Sequence, residues 1–126
     1  MSYRSMIARI FVACLTLVGS SAALAHHGWA WTGDGAFKVT GTIERVTLGN
    51  PHGVLILDVD GEKWTAEVGQ PWRHQRAGLP DEKLIKGVTL TVVGKRSADP
   101  KERRVKAERV VIDGRNYDLY PGRLAD

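Results

Sequence analysis

The chain has 126 residues, of which 25% are charged and 43% hydrophobic, with a formal net charge of +4 and a single cysteine. This length favours one domain, and the ordinary composition argues against a wholly disordered chain. One cysteine excludes an internal disulfide framework and a cysteine-clustered zinc finger. The basic excess would suit a nucleic-acid-binding protein, provided that the N-terminal residues stay in the working protein.

The first 25 residues have the pattern of a secretory signal peptide. Arg4 and Arg9 form a basic start, residues 10–18 form a short apolar run, and residues 23–25 (Ala-Leu-Ala) offer a small-residue cleavage site. The apolar run is too short to span a bilayer, so an uncleaved membrane anchor is the weaker alternative. We expect residues 1–25 to be a signal peptide and the mature protein to be periplasmic, without membrane contact.

Cleavage after residue 25 would change the charge and the chemistry of the protein. It would leave 101 residues with 16 basic and 14 acidic side chains, a net charge of +2. The only cysteine, Cys14, would leave with the leader, so any metal would have to be bound by nitrogen and oxygen ligands. The electrostatic case for a nucleic-acid partner then largely disappears. Cleavage after Ala23 is the alternative.

The mature chain begins with a polar, glycine-rich segment, residues 26–36, which is predicted to form an N-terminal arm. Alternating apolar and polar residues then predict strands, with Gly41 as a bulge or bend in the first and Trp64 facing the core from the third. Asp-Gly pairs at 60–61 and 113–114 predict tight hairpins. The predicted strands are 37–46, 54–59, 63–68, 88–95, 105–112 and 116–120.

The segment between the third and fourth strands has a different pattern. Residues 70–78 fit one or two helical turns that end at Gly78, and residues 79–87 fit a loop or short helical piece. Five main strands with this insert predict a mainly all-β fold after an N-terminal signal helix. It is a five- to six-stranded OB-like antiparallel barrel over residues 37–120. A small open sandwich or roll is the alternative, and residues 121–126 are expected to be a fraying C-terminal tail.

Two adjacent histidines would stand at the new N-terminus after cleavage. The α-amine and imidazole of His26 can chelate one metal ion together, since both lose their protons near neutral pH, and His27 adds a second imidazole. Nitrogen ligands without thiolate favour Cu(II), Ni(II) or Zn(II), and among these copper binds most tightly. The arrangement is similar to a histidine brace. A start at Leu24 would instead bind copper or nickel through backbone amides.

The two remaining histidines lie in contrasting surroundings. His52 follows Asn50-Pro51 in the loop between the first two strands, at a barrel rim where ligands commonly bind. Pro51 restricts the backbone and Asn50 can bond to it locally, so His52 is a candidate ligand held in one direction. Simple turn chemistry with an exposed histidine is the alternative. His74, among Trp72 and arginines, is expected on a helix surface.

The tryptophans of the arm and of the insert allow two interpretations. Trp29, Trp31 and Trp72 could form an aromatic surface for a glycan or protein partner, or they could pin the arm to the barrel, which we favour. The candidate binding surface therefore comprises Trp29, Asn50, Trp72 and His74. The basic run at 101–106 is interrupted by acidic residues and is expected to be a solvated loop.

Enzyme signatures are absent from the sequence. It contains no G-x-S-x-G, P-loop, H-E-x-x-H or post-strand G-x-G-x-x-G motif, and no pair of carboxylates spaced for acid–base work. We therefore expect a protein that is not an enzyme. A copper-dependent redox enzyme is the weaker alternative.

Six short motifs follow one another along nearly the whole mature chain. They are His26-His27-Gly28-Trp29, Gly41-Thr42-Ile43, Asn50-Pro51-His52, Trp64, Arg76-Ala77-Gly78 and Asp113-Gly114-Arg115. Each motif alone is weak, but in this order they resemble a bacterial family of small exported proteins of unknown function. The chain departs from the family pattern at residues 31–35, where relatives have a more compact aromatic–acid step. The resemblance implies an exported OB-like barrel and no established activity.

The sequence leads to a principal hypothesis and one alternative. The principal hypothesis is a periplasmic protein that binds a transition metal, most plausibly copper, through His26, His27 and His52. The alternative is a module that binds a periplasmic protein or a glycan through the barrel rim and the Trp-rich arm. The sequence does not decide the metal, the partner or the oligomeric state.

Overall fold

The computed structural model describes residues 28–124. Within this range the strands follow the predicted order, with the helix between the third and fourth strands, so the expected fold class is confirmed. The element bounds lie close to the predicted ones. The elements are β1 Phe37–Thr47, β2 Val54–Val59, β3 Glu62–Glu67, α1 Pro71–Ala77, β4 Thr89–Arg96, β5 Arg104–Ile112 and β6 Arg115–Asp118.

The strands form a closed barrel of five strands with β6 added to β5. The order β3-β2-β1-β4-β5-β6 is closed by an additional pairing of β3 with β5. That closing pair is parallel and joins Thr65 to Arg104 and Glu67 to Lys106, whereas the other pairings are antiparallel. The long strand β1 serves two neighbours, because its first half pairs with β4 and its second half with β2.

Glycine occupies the places where strands of the barrel approach most closely. A Cβ atom at Gly41 would lie 2.6 Å from the carbonyl oxygen of Asp58, and one at Gly94 would lie 1.9 Å from that of Lys106. Gly94 lies at the register shift between β4 and β5, and the bulge of β1 lies after Ile43 rather than at Gly41. Gly41 is therefore required for close approach of β2.

Both predicted hairpins are present with the backbone conformation that tight turns require. Asp60 and Gly61 have φ angles of 52° and 87°, and Asp113 and Gly114 have φ angles of 50° and 74°. Positive φ at both central positions gives the twist that matches the flanking strands.

The core fills the barrel with alternate residues of each strand. Trp64, Ala66 and Val68 are buried on one face as predicted, and the ring of Trp64 stacks on Phe37 at 5.2 Å between centroids. Leu79 and Leu84, which follow α1, are also buried. Because these residues point inward, the charged residues between them on β3 and β5 point to the outer surface.

The N-terminal arm is bonded along the barrel rather than free. Thr32 forms a bridge with Ser97, the amide of Gly33 donates to the carbonyl of Arg96 at 2.9 Å, and the amide of Ala98 donates to the carbonyl of Trp31 at 3.0 Å. These bonds join the arm to the β4–β5 connection. They therefore fix the path of the arm over the parallel pair of β3 and β5, which we call the β3–β5 seam.

The described chain ends in a short turn, and residues 125–126 of the predicted tail lie outside the described residues. Pro121–Arg123 form a 3-10 turn whose last amide donates to the carbonyl of Tyr120 at 3.0 Å. A second 3-10 turn spans Asp81–Lys83 in the insert. Over residues 28–124, no helix has the length and apolar character needed to cross a bilayer.

The contact at Gly94 gives a test of the barrel register. Gly94→Ala would drive a methyl group into the carbonyl of Lys106 and should lower the free energy of unfolding by about 2–3 kcal/mol. Urea unfolding of the purified protein measures this change. Gly35→Ala is the matched control, because a Cβ atom there meets nothing within 4 Å. Equal stability of the two variants would contradict the β4–β5 register.

Candidate functional site

A buried ion pair lies on the side of β3 and β5 that faces away from the barrel interior. The parallel register places Glu67 beside Lys106, and the two residues are only 4% and 3% exposed. Arg104 Nη2 donates to Glu67 Oε1 at 2.6 Å, and Lys106 Nζ lies 3.7 Å from Glu67 Oε2. Two cations therefore share one carboxylate, whose Oε2 is buried without a hydrogen-bond partner among the described residues.

The arm and the end of the chain cover this ion pair with aromatic rings. Trp31 lies over the guanidinium of Arg104 at 3.8 Å, and Trp29 lies 5.1 Å from the ammonium of Lys106. Tyr120 lies on the other side, 5.9 Å from the same ammonium. Burial lowers the pKa of Lys106 below its ordinary value of 10.5, while the charge of Glu67 acts in the opposite direction.

His52 reaches the same carboxylate from the β1–β2 loop. Its Nε2 lies 3.3 Å from Glu67 Oε1, and its Nδ1 lies 3.3 Å from the carbonyl oxygen of Gly53. The side chain is 22% exposed. The loop, which has a cis peptide bond before Pro51, thus presents His52 half-buried and in contact with β3, while Asn50 is exposed.

His74 lies in the interior, which corrects its expected place on a helix surface. It is 3% exposed, and its Nε2 accepts the amide proton of Gly69 at 2.9 Å. This bond requires the neutral ring with the proton on Nδ1. Burial lowers the pKa of His74 below its ordinary value of 6.5, and the charge of Asp81 acts in the opposite direction. His74 therefore anchors α1 to the end of β3.

The residues predicted for the site lie in different environments. Trp29 packs edge-on against Tyr120 at 5.0 Å, which agrees with a role in pinning the arm. Trp72 is 49% exposed on α1. His26 and His27 lie outside the described residues. Among residues 28–124, no three His, Cys, Asp or Glu side chains are grouped to hold a metal ion.

Sequence reasoning missed Glu67, Arg104 and Lys106. Each lies at an outward position of a strand, where a charged residue is normally solvated, so the pattern alone gives no reason to select it. Only the parallel register of β3 with β5 brings the three charges together. Their burial further depends on the arm, whose path the sequence does not predict.

The ion pair of Glu67 and Lys106 predicts that substitutions at the two residues have coupled effects on stability. Glu67→Gln would leave Lys106 buried without its counter-charge and should lower the free energy of unfolding by about 3 kcal/mol. Adding Lys106→Met should restore most of that loss. Denaturant unfolding of the single and double variants measures the coupling. Glu62→Gln is the control on the same strand, because its pair with Arg103 is exposed and should contribute less than about 1 kcal/mol. Additive losses in the double variant would exclude the coupling.

The buried His74 predicts a dependence of stability on pH. Because its pKa is lowered in the folded state, the unfolded chain takes up the proton first as the pH falls. His74 therefore contributes stability above pH 6.5 that decreases as the pH falls below 6.5 towards the folded-state pKa. His74→Gln, whose amide oxygen can still accept the Gly69 proton, should show a weaker loss of stability over this range. Unfolding curves at several pH values compare the two, and parallel profiles would contradict the assignment.

Comparison with solved structures finds chains of low identity. A chain of the S. pombe Stn1-Ten1 complex aligns with a TM-score of 0.49 and 15% identity, over 61% of this chain and 57% of that one. The ZRD-deleted mutant of TiaS in complex with agmatine aligns with a TM-score of 0.45 and 15% identity, over 67% of this chain and 26% of that one.

Apo TiaS, a tRNAIle2 agmatidine synthetase, aligns with a TM-score of 0.42 and 18% identity, over 61% of this chain and 18% of that one. The chain thus spans less than two thirds of the length of each of these three proteins. Similarity at this level gives no information about a shared ligand. No curated protein matches the chain.

The sequence also matches a family profile. The profile is described as "Family of unknown function (DUF6152)" and matches residues 14–106, about three quarters of the chain. It includes the arm, the Asn-Pro-His loop and β5 as far as Lys106, and so all of the residues that surround Glu67 except those near the C-terminus. The expected resemblance is confirmed: this small β-barrel protein belongs to the family of unknown function DUF6152.

Proposed function

We propose that this protein is exported and binds a transition metal, most plausibly copper, through His26, His27 and His52. The observation that supports the proposal is the contact of His52 with Glu67, a carboxylate whose cationic neighbours lie under the rings of the arm. His52 contacts Glu67, and Glu67 contacts Lys106, over which Trp29 packs. His27 precedes Trp29 by only two residues in the sequence, a length of chain that spans at most about 7 Å.

Glu67 has the position expected of a carboxylate that orients a metal-binding histidine. Metal-bound histidines usually donate their second ring N–H to a carboxylate or a carbonyl, which fixes the ring and its tautomer. His52 has both kinds of acceptor within 3.3 Å, Glu67 at Nε2 and the carbonyl of Gly53 at Nδ1. Either ring nitrogen of His52 can therefore donate to its acceptor, while the other nitrogen gives up its contact and binds the metal.

The charges around His52 argue against hard cations such as Ca²⁺ and Mg²⁺. These ions need several carboxylate or carbonyl oxygens, whereas Glu67 already faces Arg104 and Lys106. Neutral nitrogen ligands do not require further negative charge and suit Cu(II). The α-amine of His26, two arm imidazoles and His52 would supply up to four nitrogens after cleavage at residue 25.

We place the protein in the periplasm as a metal carrier and not as an enzyme. The basic start, short apolar run and small-residue site at residues 1–25 support export. The absence of a catalytic motif supports a carrier. A redox enzyme that uses the same copper would consume oxygen in the presence of a reductant, which an oxygen electrode detects.

Copper titration of the exported protein tests the proposal. We expect one tight Cu(II) site, which should weaken below about pH 6 as imidazoles take up protons. His52→Ala should weaken the site and change its electron paramagnetic resonance spectrum. His74→Gln is the matched control and should change neither, because His74 is buried with Nε2 bonded to Gly69.

Two outcomes would contradict the proposal. If His52→Ala leaves affinity and spectrum unchanged, only the general chelate of an N-terminal histidine remains. If N-terminal sequencing of the exported protein shows a start other than His26, the amine and ring of His26 cannot act together.

A further inference from the structure

A surface strip next to the buried ion pair alternates between cations and aromatic rings. Arg73 lies between two rings, with its Cζ 4.2 Å from the centroid of Trp72 and 4.0 Å from that of Tyr120. The ring of Tyr120 meets Trp29 edge-on, and Arg123 lies over Trp29 at 3.9 Å. Arg76 lies over Trp72 at 5.0 Å. The cation–aromatic strip comprises Arg76, Trp72, Arg73, Tyr120, Trp29 and Arg123.

The three arginines of the strip have no carboxylate partner among residues 28–124. Other arginines of the barrel do, since Arg103 pairs with Glu62 and Arg109 with Asp118. The nearby Glu67 already binds Arg104 and lies near Lys106, and it forms no ion pair with the arginines of the strip. The strip therefore carries an excess of positive charge that the described part of the protein does not neutralise.

The strip offers guanidinium N–H groups rather than free ring faces. Arg73 uses Nε to donate to Gln70 at 2.7 Å and Nη1 to donate to the carbonyl of Leu119 at 3.5 Å. Arg76 donates from Nη2 to the same carbonyl at 3.2 Å. Arg76 and Arg123 are exposed and keep most of their N–H groups available. Stacking holds the planes of these groups in place, which prepares them for planar anions.

We propose that the cation–aromatic strip binds an acidic polysaccharide, with uronate carboxylates accepting hydrogen bonds from Arg76 and Arg123. Guanidinium groups bind carboxylates through two parallel N–H bonds, which gives both affinity and direction. A uronate carboxylate is attached directly to a sugar ring, so it loses less freedom on binding than the flexible side chain of a glutamate peptide. Nucleic acid fits less well, because base stacking needs ring faces that the arginines already cover.

This inference is independent of the metal proposal, because it uses none of the four histidines. Arg73 is a positioning residue, since it lies between two rings and bonds to Gln70 and Leu119. Arg76 and Arg123 would contact the polymer.

Binding to polygalacturonate tests the inference, measured by calorimetry on the mature protein at low salt with a chelator present. We expect saturable binding that weakens as salt is added. The double variant Arg76→Gln/Arg123→Gln should bind about tenfold more weakly. The double variant Lys38→Gln/Lys101→Gln removes the same charge from exposed sites elsewhere and should change affinity less than about twofold.

A conservative variant separates hydrogen-bond geometry from charge. Arg76→Lys/Arg123→Lys keeps both charges but removes the planar donors, so its affinity should lie between those of the native protein and the glutamine variant. Equal losses in the strip and control variants would overturn the inference, as would absence of binding to polygalacturonate. Tighter binding of poly-glutamate or of an oligonucleotide of equal charge would also overturn it, by assigning the strip to a different partner.

Discussion

Closure of the barrel by the parallel pairing of β3 with β5 is the constraint on which the rest of the site depends. It places Glu67 beside Lys106 on the outer surface and Arg104 within hydrogen-bonding distance of the same carboxylate. Charges at this depth are tolerable only when they are paired, so the seam requires all three groups. His52 then meets an acceptor that is already fixed, which is why a loop residue acquires a defined orientation.

The arm completes the environment that the seam begins. Trp29 and Trp31 lie over the cations of β5, and the backbone bonds of Thr32 and Gly33 hold the arm to the β4–β5 connection. The rings exclude water from the ion pair and strengthen its electrostatic interactions. The same rings continue through Tyr120 to Arg73 of α1, so one aromatic layer joins the ion pair to the cation–aromatic strip.

Particular residues show how far sequence patterns reach. Alternation along β3 predicted that Trp64, Ala66 and Val68 would share the core, and the two Asp-Gly pairs predicted hairpins, because both signals depend on neighbours in the chain. The polar neighbours of His74 predict a surface position, which is wrong, because the ring is buried and accepts the amide proton of Gly69. No local pattern indicates the carboxylate of Glu67, because its partners come from β5 and from the β1–β2 loop.

The order of the strands, the turns, the position of the helix and the family can all be predicted from the sequence, because they are properties of local pattern and of motif order. The two histidines of the arm stay a prediction as metal ligands, since that role rests on their place at the N-terminus after the expected cleavage. Over residues 28–124, the folded barrel alone reveals which charges are buried, where the arm runs and which arginines lack a carboxylate partner. These features depend on strand register and on contacts between distant segments, which a local sequence pattern does not specify.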